Sequence, residues 1–364
     1  MIQLKLVIYI VEILLNLILG IETNTTRKFE QSKIHISSQI EKDSFSIKSK
    51  NIHLNTGIQM KYLEAGNKNG RTILFLHGYT DTSRSFEQLI TELLKLNPEL
   101  RFIAPDLRGH GDSSIPTLSN SNGFGIKDFT NDILDFMKLK NLTKVDLVGH
   151  SMGSVIAQEI ALEYPSRISS LTMIGALVNG KKNRAIQEFL IPELINNWKK
   201  QLIAQYGVDW KSKSYNLTPE DLGSSVTDFL KKNWVTEADL KASVLEAIYF
   251  ETIKIPLATW FGALETLSEI DNSQRMKKLR TPTLIIWGEG DELTLKEDQE
   301  RLIKACEKAN DLNGTPVYYK KYGPKGEKSK APGHNLHWVK AKTVASDIIE
   351  LISAEYPFNS TLNK

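Results

Sequence analysis

Five short runs constrain the fold most: RTILFLHG (71–78), RFIAPD (101–106), KVDLVGH (144–150), SSLTMIG (169–175) and TPTLIIWG (281–288), each ending in Gly, His or Asp. They have strand length and are apolar nearly throughout rather than on alternate residues, as strands covered on both faces are. Between them, SFEQLITELLKL and DFTNDILDFMKL carry apolar residues at helical spacing. Such strands alternating with amphipathic helices describe an α/β fold: a mostly parallel central sheet with helices on both faces. Upstream, SFSIKSKNIHLNTGIQMKYLEAG alternates polar and apolar residues on either side of a turn near Asn55 to Gly57, which reads as a hairpin at a sheet edge.

The alternation is interrupted once. Between Val178 and Leu279 no comparable strand occurs, only helical patterns such as IQEFLIPELINNWKKQLIAQYG and ADLKASVLEAIYFETIKIPLATWFGAL. A stretch of that length is too long for a loop in a compact domain, so it is read as a helical insertion, 179–280, in a core made of 21–178 and 281–364. Its aromatic stripes read mainly as packing, with a minority of side chains lining a pocket.

Residues 1–20 differ from the rest. A weakly positive start precedes Leu6 to Leu19, mostly Leu, Ile and Val, which has the length of a signal-peptide core and falls short of the ~20 apolar residues of a spanning helix. The expectation is a cleaved signal and a secreted or lumenal protein, the alternative being an N-terminal membrane anchor; after cleavage no stable membrane insertion is expected. Five Asn-x-Ser/Thr sites, at Asn24, Asn141, Asn216, Asn313 and Asn359, are compatible with that route. The single cysteine, Cys306, excludes a disulfide within the chain and reads as a small buried hydrophobe. With 46 basic against 43 acidic residues, there is no electrostatic case for a nucleic-acid partner.

The chemistry begins at VDLVGHSMGSVIAQEIALEY (145–164), a strand that breaks at Gly-His-Ser-Met-Gly and resumes as a helix. A strand-to-helix turn this tight strains its central residue, and the small neighbours Gly149 and Gly153 permit it. Ser151 is thereby exposed at the carboxyl edge of the sheet beside a helix N-terminus, where developing negative charge meets unpaired N–H groups. A serine nucleophile needs a base, and the base an orienting carboxylate. Asp291 lies just past strand 281–287 in WGEGDE, and His334 follows the next plausible strand, PVYYKKY (316–322), in APGHNLHW. Ser151, Asp291, His334 is the chain order of a triad on such a sheet. Glu289 and Glu292 stand as alternatives for the acid, and His337 for the base. The backbone N–H groups of Tyr79, after the strand ending in His77-Gly78, and of Met152 are candidates for an oxyanion hole.

Together LHGYTD, DLRGHGDS (106–113), GHSMGS, WGEGD and PGHNLHW resemble the α/β-hydrolase superfamily over about residues 58 to 353, and within it the capped serine esterase and cofactor-free haloperoxidase-like branch. The resemblance implies that 179–280 is a cap over the active site and that His110 and His150 are scaffold. Serine at 151 argues against branches resembling epoxide hydrolases and haloalkane dehalogenases, which place aspartate at the elbow. The chain departs from the pattern at Ser154, where many relatives have a second glycine. It departs again at GPKGEKSKAPGH, a Lys-rich stretch that lengthens the path to His334 through 323–333.

The expected function is that of a serine hydrolase cleaving a carboxylic ester or related acyl compound through an acyl-enzyme. The alternatives are a cofactor-free peroxidase or lyase-type enzyme on the same residues, or a non-catalytic binding protein for small apolar ligands. No metal-ligand cluster or phosphate loop appears in the sequence, and neither metal nor cofactor is expected. The aromatic-rich insertion points to a small hydrophobic ester-type substrate.

Overall fold

The computed structural model describes residues 46–118, 123–234, 237, 240–324 and 330–354. The segment read as a signal peptide lies outside the described residues, as do Asn24 and Asn359. Among the described residues no helix is long and apolar enough to cross a membrane.

Eight strands form one sheet among the described residues, in the order β1-β2-β4-β3-β5-β6-β7-β8. The hairpin of β1 (Lys48–His53) and β2 (Gln59–Gly66) occupies one edge, and β2 runs antiparallel to β4 (Arg101–Pro105). From β4 the sheet is parallel through β3 (Thr72–Leu76), β5 (Val145–His150), β6 (Ile168–Ile174), β7 (Thr283–Gly288) and β8 (Val317–Tyr322). All of these parallel strands therefore end along one edge of the sheet.

Alternate residues of the central strands feed two cores. Ile73 and Phe75 of β3, Val148 of β5 and Leu284 and Ile286 of β7 pack on one face with helices α1 (Glu87–Leu96) and the last described helix, Ala341–Ser353. Leu74, Leu76, Leu147 and Ile285 enter the other core, under α2 (Ile126–Leu139) and α3 (Met152–Glu163). Burial on both faces is the physical reason these strands are apolar without interruption. The helices show the complementary pattern: α1 buries Leu89, Ile90, Leu93 and Leu94, one stripe at helical spacing.

From β6 to β7 the described chain is helical. A π-helical segment, Ala185–Lys199, continues into α4 (Lys200–Tyr206), followed by α5 (Trp210–Ser214), α6 (Ser224–Asn233), α7 (Ala242–Thr252) and α8 (Leu257–Glu269). Trp198 and Trp260 are fully buried with ring centres 5.3 Å apart, forming the centre of this segment's packing. The remaining helices are α9 (Lys296–Asn313), α10 (Leu336–Val339) and α11 (Ala341–Ser353).

The loop after β4, DLRGHGDS, is held from inside. Arg108 donates from Nε and Nη2 to the two carboxylate oxygens of Asp132 on α2, at 2.7 and 2.6 Å, and both residues are buried. Gly111, with φ +54°, brings the backbone to where a Cβ would lie 2.3 Å from the Asp106 carboxylate. His110 is fully buried in the turn, with Nδ1 on the Arg108 carbonyl. Breaking a buried, bidentate pair strands one charge, at a cost of about 3–5 kcal/mol. Asp132→Ala should therefore lower the unfolding free energy by about that amount in urea titration; a loss below ~1 kcal/mol would mean that the pair is effectively solvated.

Candidate active site

The elbow is formed where β5 meets α3. Ser151 has φ 49° and ψ −117°, a conformation that costs a non-glycine residue about 1–3 kcal/mol. The surroundings enforce it. The Ser151 N–H donates to the Ile174 carbonyl at 3.0 Å. A Cβ on Gly153 would lie 2.0 Å from the Leu76 carbonyl oxygen, and one on Gly149 2.5 Å from that of Gly153, so backbone occupies the space a side chain would need. Ser154, in place of a second glycine, is fully buried and donates its hydroxyl to the Ser151 carbonyl at 2.6 Å.

Asp291 and His334 meet beyond the ends of β7 and β8. Asp291 is buried and its Oδ1 accepts the N–H groups of Leu293 and Thr294, both at 2.8 Å, while Oδ2 accepts the Thr294 hydroxyl at 2.5 Å. His334 Nδ1 donates to that carboxylate, 2.9 Å from Oδ2 and 3.1 Å from Oδ1. This fixes the tautomer and leaves Nε2 as the nitrogen free for chemistry. Burial pushes the His334 pKa down, but the charge and hydrogen bond of Asp291, with the charges of Glu237 and Asp81, outweigh it and hold the imidazole above its ordinary value. Of the alternatives, Glu289 pairs with Lys321 at 2.6 Å, and Glu292 reaches the wall of the cavity described below without bonding His334. His337, one helical turn on, is fully buried against Phe86 and His150, and burial takes its pKa down to about 3.

The loop after β3 supplies the remaining candidate. His77 is a fully buried spacer, with Nδ1 donating to the Gly78 carbonyl at 2.8 Å and Nε2 accepting from the Leu107 N–H at 2.9 Å. A Cβ on Gly78 would lie 3.2 Å from the Ser151 Cβ, so this loop passes directly over the serine. Among the described residues the Tyr79 amide bonds no backbone acceptor, nor does that of Met152 at the first position of α3. The Tyr79 hydroxyl donates to the Trp260 carbonyl, and the Trp234 indole N–H donates to the Thr80 hydroxyl at 2.9 Å, tying the loop to the helical insertion.

Ser151, His334, Tyr79 and Thr80 line one cavity of about 1160 Å³. Its apolar walls come largely from the insertion, through Ile186, Phe189, Leu190, Leu245 and Ile248. Trp234 and Phe189 also reach it, whereas Trp198 and Trp260 remain in the packing. Two acids that the sequence reading missed also line it. Asp81 sits in the loop over the serine, where burial raises its carboxyl pKa to about 7 against the pull of the Thr82 amide, the Ser85 hydroxyl and His334. Its place in LHGYTD, two residues past the proposed oxyanion amide, was the available signal. Glu237, from the insertion, bonds the backbone on both sides of His334, and nothing in the sequence connected it to the site.

Asp81, His150 and His337 bring one potential metal-ligand atom each within 4.8 Å of one another, the one such grouping among the described residues. The two imidazoles lie 4.4 Å apart in tilted ring contact, and His150 donates from Nε2 to the His334 carbonyl at 3.1 Å. Burial drives both well below their ordinary pKa values. They are neutral scaffold around His334.

Residues 71–314 match the family described as alpha/beta hydrolase fold, and the chain belongs to that family. It is 27% identical over 244 residues to mouse Epoxide hydrolase 3, a match covering 65% of this chain and 61% of that protein. To Lipase 1 of Psychrobacter immobilis it is 24% identical over 288 residues, covering 78% and 80% respectively. An esterase from Exiguobacterium antarcticum superposes with a TM-score of 0.61 at 18% identity, over 84% of this chain and all of the other, which shows the shared fold.

The buried histidines set an acid limit on stability. Burial takes His77 to about 4 and His110 and His337 to about 3, with His150 also lowered, against about 6.5 when unfolded. Below pH 6.5 the unfolded chain gains these protons and the folded chain does not, so stability falls as pH drops from about 6.5 toward 4, by up to ~1.4 kcal/mol per pH unit for each group. His334, shifted upward, works in the opposite sense and loses its contribution as pH rises through its folded value. Urea midpoints measured from pH 7.5 to 4.5 should fall steeply, and less steeply in His337→Leu; a flat profile would mean these imidazoles are protonated in the folded state.

Proposed function

We propose that this chain is a serine hydrolase that cleaves a carboxylic ester, or a related acyl compound, through Ser151, His334 and Asp291. The observation that carries this reading is that a strained serine and a histidine whose Nδ1 is committed to a buried carboxylate line the same cavity.

His334 Nε2 takes the Ser151 proton as Oγ attacks the substrate carbonyl carbon, and the carbonyl π electrons move onto oxygen. The amides of Tyr79 and Met152 hold that oxyanion. Collapse expels the alcohol, which leaves with the proton from His334, and the acyl group remains on Ser151. Water, deprotonated by His334, then releases the acid by the same route. Asp291 stabilises the imidazolium in both halves. Each oxyanion donor of this kind contributes about 3 kcal/mol of transition-state stabilisation.

Relatives named as epoxide hydrolases raise a second reading, which the chemistry of residue 151 disfavours. A serine that opened an epoxide would be left as an ether, with no carbonyl for water to attack and no oxyanion for the two amides to hold. An ester or thioester leaves an acyl-serine that the same site can hydrolyse. The apolar walls and the volume of about 1160 Å³ favour a hydrophobic acyl or alcohol group.

Residues 22–364 should hydrolyse p-nitrophenyl esters in a series from acetate to laurate, with the optimum reporting the depth of the cavity. Ser151→Ala and His334→Ala should each lower kcat/KM by at least about a thousandfold while leaving the circular dichroism spectrum unchanged. Ester cleavage that survives Ser151→Ala would sink this mechanism; ligand affinity without turnover would move the binding-protein reading ahead.

A further inference from the structure

The carboxylate of Glu237 approaches the proposed base from the helical insertion, between α6 and α7. Its Oε1 accepts the Asn335 N–H at 2.7 Å and its Oε2 the Gly333 N–H at 3.3 Å, so one side chain grips the backbone immediately before and after His334. A Cβ at position 333 would lie 2.8 Å from Oε1, so the carboxylate packs directly against the glycine. Glu237 also lines the cavity that holds Ser151 and His334. Burial pushes its pKa up, while the two amides and the His334 charge pull it back, and Asp291 adds to the rise.

We infer that Glu237 is a positioning residue for His334: it holds the histidine loop from the insertion and presents a second carboxylate charge, beside that of Asp291, to the imidazolium that forms during turnover. The inference rests on the serine-hydrolase reading above. GPKGEKSKAPGH lengthens the sequence that leads to His334, and Glu237 takes hold of the chain on both sides of the histidine from a segment about a hundred residues upstream. Two amide hydrogen bonds to an ionised acceptor supply the restraint from outside the loop. Among the described residues the charged and titratable groups facing the same space are His334, His150, Asp291, Asp81 and Tyr79 at the sheet edge, Glu292 beyond β7, Lys232 on α6 and Lys330 before the histidine.

Glu237→Gln separates the two parts of the role, since glutamine keeps one acceptor oxygen and loses the charge; Glu237→Ala removes both. Without the negative charge the protonated imidazole is less favoured. The acid limb of kcat/KM against pH should therefore move to lower pH by about half a unit to one unit in the Gln variant, with KM for a neutral ester changed less than about twofold. The Ala variant should show the same shift and a further fall in kcat of about tenfold, partly restored in Gln, because a loosened base loses its attack geometry. NMR titration of the His334 imidazole, its resonance identified by its loss in His334→Gln, reads the same pKa without turnover. A downward shift in Glu237→Gln shows that the Glu237 charge acts on the His334 imidazole whether or not the wild-type protein cleaves an ester, so a failure of the hydrolase reading is told apart from a failure of this one. An imidazole pKa and acid limb unmoved in Glu237→Gln, or variants that alter KM alone, would overturn it. Circular dichroism melting of both variants shows whether a loss of kcat reflects unfolding, and the Gln variant, nearly identical in shape, carries the decision.

Discussion

The approach of α3 to the end of β3 is the contact on which the rest of the structure depends. A Cβ on Gly153 would sit 2.0 Å from the Leu76 carbonyl oxygen, a separation that no side chain permits. Because that approach is possible, β5 can turn into α3 within one residue, and the strain of the turn falls on Ser151. The same closeness carries Gly78 over the serine, which brings the loop of the Tyr79 amide beside the start of α3. A larger residue at 153 would separate α3 from the sheet and disperse the proposed nucleophile and both amides together.

The helical insertion does more than roof the cavity. Its Trp260 carbonyl accepts the Tyr79 hydroxyl, its Trp234 donates to Thr80, and its Thr252 hydroxyl lies 3.4 Å from the Thr80 carbonyl. With Glu237 on the amides beside His334, the insertion touches both the proposed oxyanion loop and the loop of the proposed base. A change in its packing would thus reach the reacting groups through hydrogen bonds as well as through cavity shape.

The sheet was legible in the sequence because burial on both faces writes an uninterrupted apolar run, and Ile73-Leu74-Phe75-Leu76 feeding alternate cores is that rule in structural form. That an acid just past β7 meets a histidine past β8 was legible from order alone, since parallel strands end at one edge and loops beyond neighbouring strands converge there. Discrimination between His334 and His337 was not. Two residues separate them, and what distinguishes them is that α10 begins at Leu336 and turns His337 onto Phe86. The insertion was the least legible part. Trp198 and Phe189 fall in the same helical run, yet one is core and the other reaches the cavity, because their surroundings come from helices far apart in the chain. Glu237 has the same cause: its partner amides lie about a hundred residues downstream.

Three imidazoles lie in ring contact here, with His150 centred 4.9 Å from His334 and 4.4 Å from His337, but their environments push them apart. Burial, with the neighbouring imidazole charges, lowers His150 and His337, while Asp291, aided by Glu237 and Asp81, raises His334. The neutrality of the first two is a condition for the role proposed for the third. A proton on His150 would stand within 5 Å of the imidazolium that must form on His334 and would oppose it by about 3–4 kcal/mol at the effective dielectric of a protein interior. The acids around His334 therefore raise one histidine while burial lowers the other two, an arrangement that gives one of the three the capacity to take a proton.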